Sequence, residues 1–91
     1  MFELNDETRV AFEIYKHNQQ NELIYYSKLV ELFNSTIDAH RLGIVLDKLF
    51  DLCIVDAKWT TTNDNRWVRA IRITKEYIPY CESLATVMHK E

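Results

Sequence analysis

The chain reads as an alternation of helical stripes and short strand-like runs. From Asp6 to about Asn18, Val10, Ala11, Ile14 and Tyr15 fall on one stripe with Phe12 at its edge, a spacing that predicts an amphipathic helix. Asn5 or Asp6 supplies the cap, since a short side-chain oxygen accepts from the free N–H groups of a first helical turn. Asn18-Gln19-Gln20-Asn21 is polar and aperiodic, which predicts a loop. Glu22 to Tyr26 is short and aromatic, which predicts a brief strand. Ser27 is then the expected cap of a second helix, Lys28 to Phe33, anchored by Leu29, Val30, Leu32 and Phe33, and Asn34-Ser35-Thr36 has turn chemistry.

The third helix has the clearest pattern. Behind Asp38 as N-cap, Leu42, Val45, Leu46, Leu49, Leu52 and Cys53 form one apolar face. His40, Arg41, Gly43, Ile44, Asp47, Lys48 and Asp51 occupy the other. Such segregation marks a helix packed on one side and free on the other. Ile54 to Thr60 and Arg66 to Thr74 then have strand composition around the polar segment Thr61–Asn65, and Ile71 and Ile73 alternate with Arg72. Together they predict a hairpin with a loop longer than the tightest turns. A closing helix follows, capped by Thr74 and kinked at Pro79, or starting near Pro79, a favoured first helical position. Tyr77, Cys81, Leu84 and Met88 form an apolar seam along it, able to meet another helix.

Composition narrows the class. At 91 residues the chain holds one small domain, and 47% apolar residues with one Gly and one Pro exclude a disordered or glycine-turn architecture. No apolar run approaches the ~20 residues of a membrane helix. The acidic start, Met1 to Asp6, is unlike a signal peptide. A cytoplasmic location is therefore expected. Cys53 and Cys81 are too few for a disulfide framework and are expected as small core residues. The net charge of −3 is unevenly spread. Residues 1–56 carry −5 and residues 76–91 carry −2. Residues 57–75 hold Lys58, Arg66, Arg69, Arg72 and Lys75 against Asp64 alone, a net of +4.

Ile37-Asp38 followed by Leu42, Leu46, Leu49, Leu52, Ile54 and Val55 resembles the Ile-Ser-x-x-x-Val-x-x-x-Leu-x-x-Leu-x-x-Leu-Gly-Leu-Val pattern of winged helix-turn-helix regulators of the broad MarR/PadR-like group. Ile71-Arg72-Ile73-Thr74-Lys75-Glu76 is similar to that group's closing strand and its entry into the last helix. The match lies in residues 22–77. Three features depart from it. Cys53 replaces the usual Gly, which implies a tighter or reshaped turn; Tyr77 replaces a frequent Gly; and the Asn34–Ile37 turn is about two residues longer. The resemblance implies an α+β, mainly α fold filling residues 1–91: a three-helix core, a helix-turn-helix at about 27–52, a β-hairpin wing at about 54–74 and a C-terminal helix at about 75–90.

In this fold the third helix enters the DNA major groove and the wing touches the neighbouring backbone. The expected recognition-helix residues are His40, Arg41, Gly43, Ile44 and Lys48. Arg and Lys reach guanine edges or phosphate, and His adds a pH-dependent donor. Gly43 costs about 1 kcal/mol mid-helix relative to Ala, which is consistent either with close approach to a groove or with a local kink. Ile44 suits a thymine methyl or a protein interface. Asp47 and Asp51 oppose phosphate and otherwise read as a solvated face. The expected wing contacts are Lys58, Arg66, Arg69 and Arg72, which would supply phosphate affinity. Arg69 shares strand parity with Trp67, Ile71 and Ile73, so its stem can instead cover apolar surface. Trp59 and Trp67 are expected in hairpin packing.

His17, His40, His89, Cys53 and Cys81 show no metal-ligand spacing. No glycine-rich phosphate loop and no nucleophile set is present. The reading is therefore of a non-enzyme with no cofactor: a transcriptional regulator that binds double-stranded DNA. A homodimer is expected through Phe12, Leu84, Val87 and Met88, and any small-molecule effector is unspecified. The rival reading is a winged-helix module for protein interaction in a larger assembly, which explains Ile44, Asp47 and Asp51 more directly.

Overall fold

The structure, a computed structural model, describes residues 5–89, with side chains described through residue 86. The elements run α1 (Asp6–Gln19), α2 (Tyr26–Phe33), α3 (Ala39–Asp51), β1 (Val55–Thr61), β2 (Trp67–Ile73), a 3-10 turn (Lys75–Tyr77) and α4 (Ile78–His89). This is the winged helix-turn-helix arrangement: α2, turn and α3, then an antiparallel hairpin, with α1 and α4 flanking the body.

The helix starts follow local chemistry. Asn5 caps α1, its Oδ1 accepting from the Thr8 N–H at 2.8 Å. Asp38 caps α3 in the same way, accepting from Arg41 N–H at 2.8 Å. Each such cap stabilises a helix by about 1 kcal/mol. The second helix departs from expectation. It starts at Tyr26 with Tyr25 as N-cap and no side-chain cap bond, so Ser27 lies inside the first turn.

Segment 22–26 forms no strand, and the reason is visible at the edge of β2. Ile71 N–H donates to Ile24 O at 2.8 Å, the single main-chain bond of the kind a third strand would make there. The adjacent positions are taken by one side chain: Asn18 Nδ2 donates to Ile71 O at 3.4 Å, and Ile73 N–H donates to Asn18 Oδ1 at 2.9 Å. Asn18, in the last turn of α1, thus substitutes for a ladder and closes the exposed edge of β2.

The core gathers one stripe from each element. Val10 and Ile14 of α1, Ile24, Leu29 of α2, Leu42, Val45 and Leu49 of α3, Val55, Ile71 and Ile73 of the hairpin and Cys81 of α4 are all buried. Leu46 joins them, whereas Leu52 and Cys53, expected on the same face, are exposed. Their helix has ended. Ile54 N–H donates to Leu49 O and Cys53 N–H to Phe50 O, both at 3.0 Å, the paired bonds of a Schellman cap. Cys53 occupies the left-handed position of that cap with φ 59°. The turn therefore keeps the geometry a glycine would give, and Cys53 carries the strain of a non-glycine residue there, about 1 kcal/mol.

The closing helix is reached through the 3-10 turn, so α4 begins at Ile78 with Pro79 in its first turn, where the missing N–H costs nothing. Thr74 does not cap it. Its hydroxyl donates to Cys53 O at 2.9 Å and ties the end of β2 to the end of α3.

Candidate nucleic-acid interface

With Leu42, Val45, Leu46 and Leu49 turned into the core, the 3.6-residue period fixes where every other α3 side chain points. His40, Ile44, Asp47 and Asp51, at i, i+4, i+7 and i+11, lie opposite the core and are all exposed. Arg41 and Lys48 share one flank, two turns apart. Gly43 and Phe50 share the other. The centre of the outward face is thus apolar and acidic, and its cations stand at one edge.

Both of those cations are already engaged. Arg41 Nε donates to Asp6 Oδ2 at 3.2 Å, and Lys48 Nζ lies 3.6 Å from Glu7 Oε1. Asp6 and Glu7 form the acidic first turn of α1, where they also meet the positive end of that helix dipole. This pairing has no local sequence signal, because the partners lie on different helices and only the packing of α1 along α3 brings them together. All four side chains keep solvent contact, so each pair is worth at most about 1 kcal/mol.

The other flank faces the wing. The Arg69 guanidinium lies 5.2 Å from the centre of the Phe50 ring, a cation–π contact that spans hairpin and helix. Gly43 sits two turns before Phe50 on the same flank. A Cβ added there would meet nothing within 4 Å, so no intramolecular contact requires the glycine.

Strand register sorts the wing cations. Val55, Ala57, Trp59 and Thr61 pair with Ile73, Ile71, Arg69 and Trp67 and share their face. That face is buried at the base of the hairpin and exposed toward its tip. Trp59 is 63% and Trp67 69% exposed. The expectation that the two indoles pack within the hairpin is therefore corrected: the body ends before it reaches them. Lys58 and Arg72 lie on the opposite face, where Arg72 Nε is 3.6 Å from Asp56 Oδ1.

Arg66 stands at the tip, held by a tight turn. Thr62 N–H donates to Arg66 O at 2.8 Å, and Arg66 N–H donates to Thr62 Oγ1 at 3.2 Å. Asn65 takes the left-handed conformation, φ 63°, which Asn tolerates. The Thr62 hydroxyl donates to the Asp64 carboxylate, and that bond holds the Asp64 pKa below its ordinary value.

The residues expected at a dimer interface are divided. Leu84 is 1% exposed and is turned into its own protomer. Phe12 is half-buried, with Lys16 Nζ 5.5 Å from its ring centre. The side chains of Val87 and Met88 lie outside the described residues. The two thiols also differ: Cys53 is exposed, whereas burial pushes the Cys81 pKa up to about 11. Among the described residues no cluster of three or more His, Cys, Asp or Glu is placed to hold a metal ion, and no helix is long and apolar enough to cross a membrane.

No family model matches the sequence, and no curated protein is similar to it. The structure is similar to the crystal structure of a PadR-like transcriptional regulator from Bacillus cereus, with a TM-score of 0.68 and 11% identity over 92% of this chain and 81% of that one. The fold of this chain is that of a PadR-like winged helix with a C-terminal helix.

Proposed function

We propose that this chain is a transcriptional regulator that binds double-stranded DNA, with α3 in the major groove and the wing on the adjacent backbone. The observation that carries this reading is the pairing of one outward helix face with a hairpin, Val55–Ile73, of net charge +2 on a −3 chain. Likeness of fold to a PadR-like transcriptional regulator supports it. His40, Gly43 and Ile44 meet base edges, Arg41 and Lys48 meet flanking phosphates, and Lys58, Arg66, Arg69 and Arg72 supply the electrostatic affinity of the wing. No cofactor takes part, and the protein acts in the cytoplasm.

Titration of a labelled mixed-sequence duplex at several salt concentrations tests the reading. Affinity falls steeply with salt, and Arg66→Ala combined with Arg69→Ala lowers the log–log slope by about 2. Absence of binding at low salt overturns it.

The regulator acts as a homodimer joined through Phe12 and the Val87–Met88 end of α4, Leu84 supporting that end from within the protomer. A two-fold pair reads half-sites about 34 Å apart. Light scattering at tens of micromolar gives a dimer mass, and a monomer mass overturns this part.

A further inference from the structure

We propose that Trp59 and Trp67 form the DNA-contacting face of the wing, packing against the sugars and base edges of the minor groove beside the one that receives α3. The inference rests on the DNA-binding reading and assigns the contact to the opposite face of the hairpin from Lys58 and Arg72.

Three observations converge on it. The first is exposure. A small domain has little apolar surface to spare, yet both of its tryptophans stand 63% and 69% exposed on one hairpin face; it is an exposed large apolar patch that calls for explanation. Trp59 lies opposite Arg69 and Trp67 opposite Thr61, so the two indoles are diagonal neighbours across the strands and form one surface. The second is direction. Arg69, on that same face, reaches Phe50 of α3, so the indoles lie on the α3 side of the wing. A duplex set against the outward face of α3 meets this side, whereas Lys58 and Arg72 point away and Arg72 is held by Asp56.

The third is charge, which selects the occupant. Arg69 lies between the indoles and α3, Arg66 closes the tip, and the hairpin Val55–Ile73 carries a net +2. A second copy docking wing to wing would bring two such segments together, while a polyanion is attracted. An indole offers an apolar plate for deoxyribose and one N–H donor for the acceptors that line the minor groove floor. Apolar side chains beside cations are a recurrent minor-groove device.

The chain contains two tryptophans and both are on the wing, so fluorescence excited at the red edge, where tyrosine does not absorb, reports this face alone. A mixed-sequence duplex at low salt quenches that fluorescence as it binds. Trp59→Ala with Trp67→Ala weakens duplex binding about tenfold or more, with an unchanged salt slope, because no charge is removed. Trp59→Phe with Trp67→Phe restores part of the loss. Lys58→Ala with Arg72→Ala weakens it less at moderate salt. If the wild type binds the duplex with unaltered fluorescence, or the Ala pair binds as the wild type does, the inference fails and the DNA-binding reading stands. If the wild type binds no duplex, the reading itself fails. A concentration-dependent fluorescence shift without DNA identifies a second copy as the occupant and overturns the inference, as does tighter binding to the single strand than to the duplex.

Discussion

The outward stripe of α3 carries His40, Ile44, Asp47 and Asp51, and the cations at its edge are held by the first turn of α1. The outer half of the wing carries Trp59, Trp67, Arg66 and Arg69, with Arg66 fixed by the turn at its tip. Both regions flank the same side of the molecule, yet they meet a polyanion on different terms. For α3 the acids at its centre must be brought near phosphate, and its pairs with Asp6 and Glu7 exchanged for DNA contacts. The wing offers apolar plates and unbalanced positive charge. On the proposed DNA-binding reading, non-specific affinity would originate in the wing, while α3 would contribute shape and selectivity. A single negative total for the chain conceals this division, because residues 1–56 carry −5 and residues 57–75 carry +4.

The comparison can be broken most strongly by releasing the α3 cations. Asp6→Asn with Glu7→Gln removes two acids beside α3 and frees Arg41 and Lys48. Duplex affinity at low salt is expected to rise about tenfold and the salt slope to steepen by about 2, measured by anisotropy. The cost in stability is within about 1–2 kcal/mol, the loss of first-turn acids and exposed ion pairs. Unchanged affinity would place α3 outside the interface.

Gly43→Ala sharpens it next. The added Cβ enters open space, so thermal unfolding should show stabilisation of about 1 kcal/mol, or some 4–8 °C in Tm for a domain of this size. A simultaneous loss of duplex affinity would show that a groove wall approaches this flank of α3; stabilisation with full affinity would show that it does not.

Cys53→Gly acts outside both faces and serves as a control. Glycine relieves the left-handed strain at the end of α3 but is itself more flexible when unfolded, so stability rises by at most about 0.5 kcal/mol with unchanged DNA affinity. The two thiols give the smallest effect. Under native conditions a thiol reagent should modify Cys53 promptly. Cys81, buried and with its pKa raised to about 11, should react only as the domain opens.

Much of the fold was legible in the chain. A cap at Asn5 or Asp6, which the structure places at Asn5, the cap Asp38, the stripes of α1 and α3 and the two strands follow from periods and capping chemistry that act within a few residues. The expected strand at 22–26 failed because its pairing positions on β2 are filled by Asn18, a competition between segments some 50 residues apart. Ser27 failed as a cap because Tyr26 already begins the helix. Cys53 was expected to reshape its turn; the packing of Leu49, Ile54 and Thr74 instead holds it in the conformation glycine would adopt.

The candidate site divides along the same line. Sequence alone determined that α3 has a free face, which residues lie on it, that positive charge gathers in the hairpin, and that Arg69 shares a face with Trp67. These follow from periods of 3.6 and 2, which are properties of the backbone. Only tertiary structure decided that Asp6 and Glu7 reach Arg41 and Lys48, that Arg69 reaches Phe50, that Leu84 turns inward, and that the hairpin outgrows the body so that Trp59 and Trp67 emerge into solvent. Each of those depends on where one element stops against another, and an amphipathic pattern records which side of an element is apolar but not how far its neighbour extends to cover it.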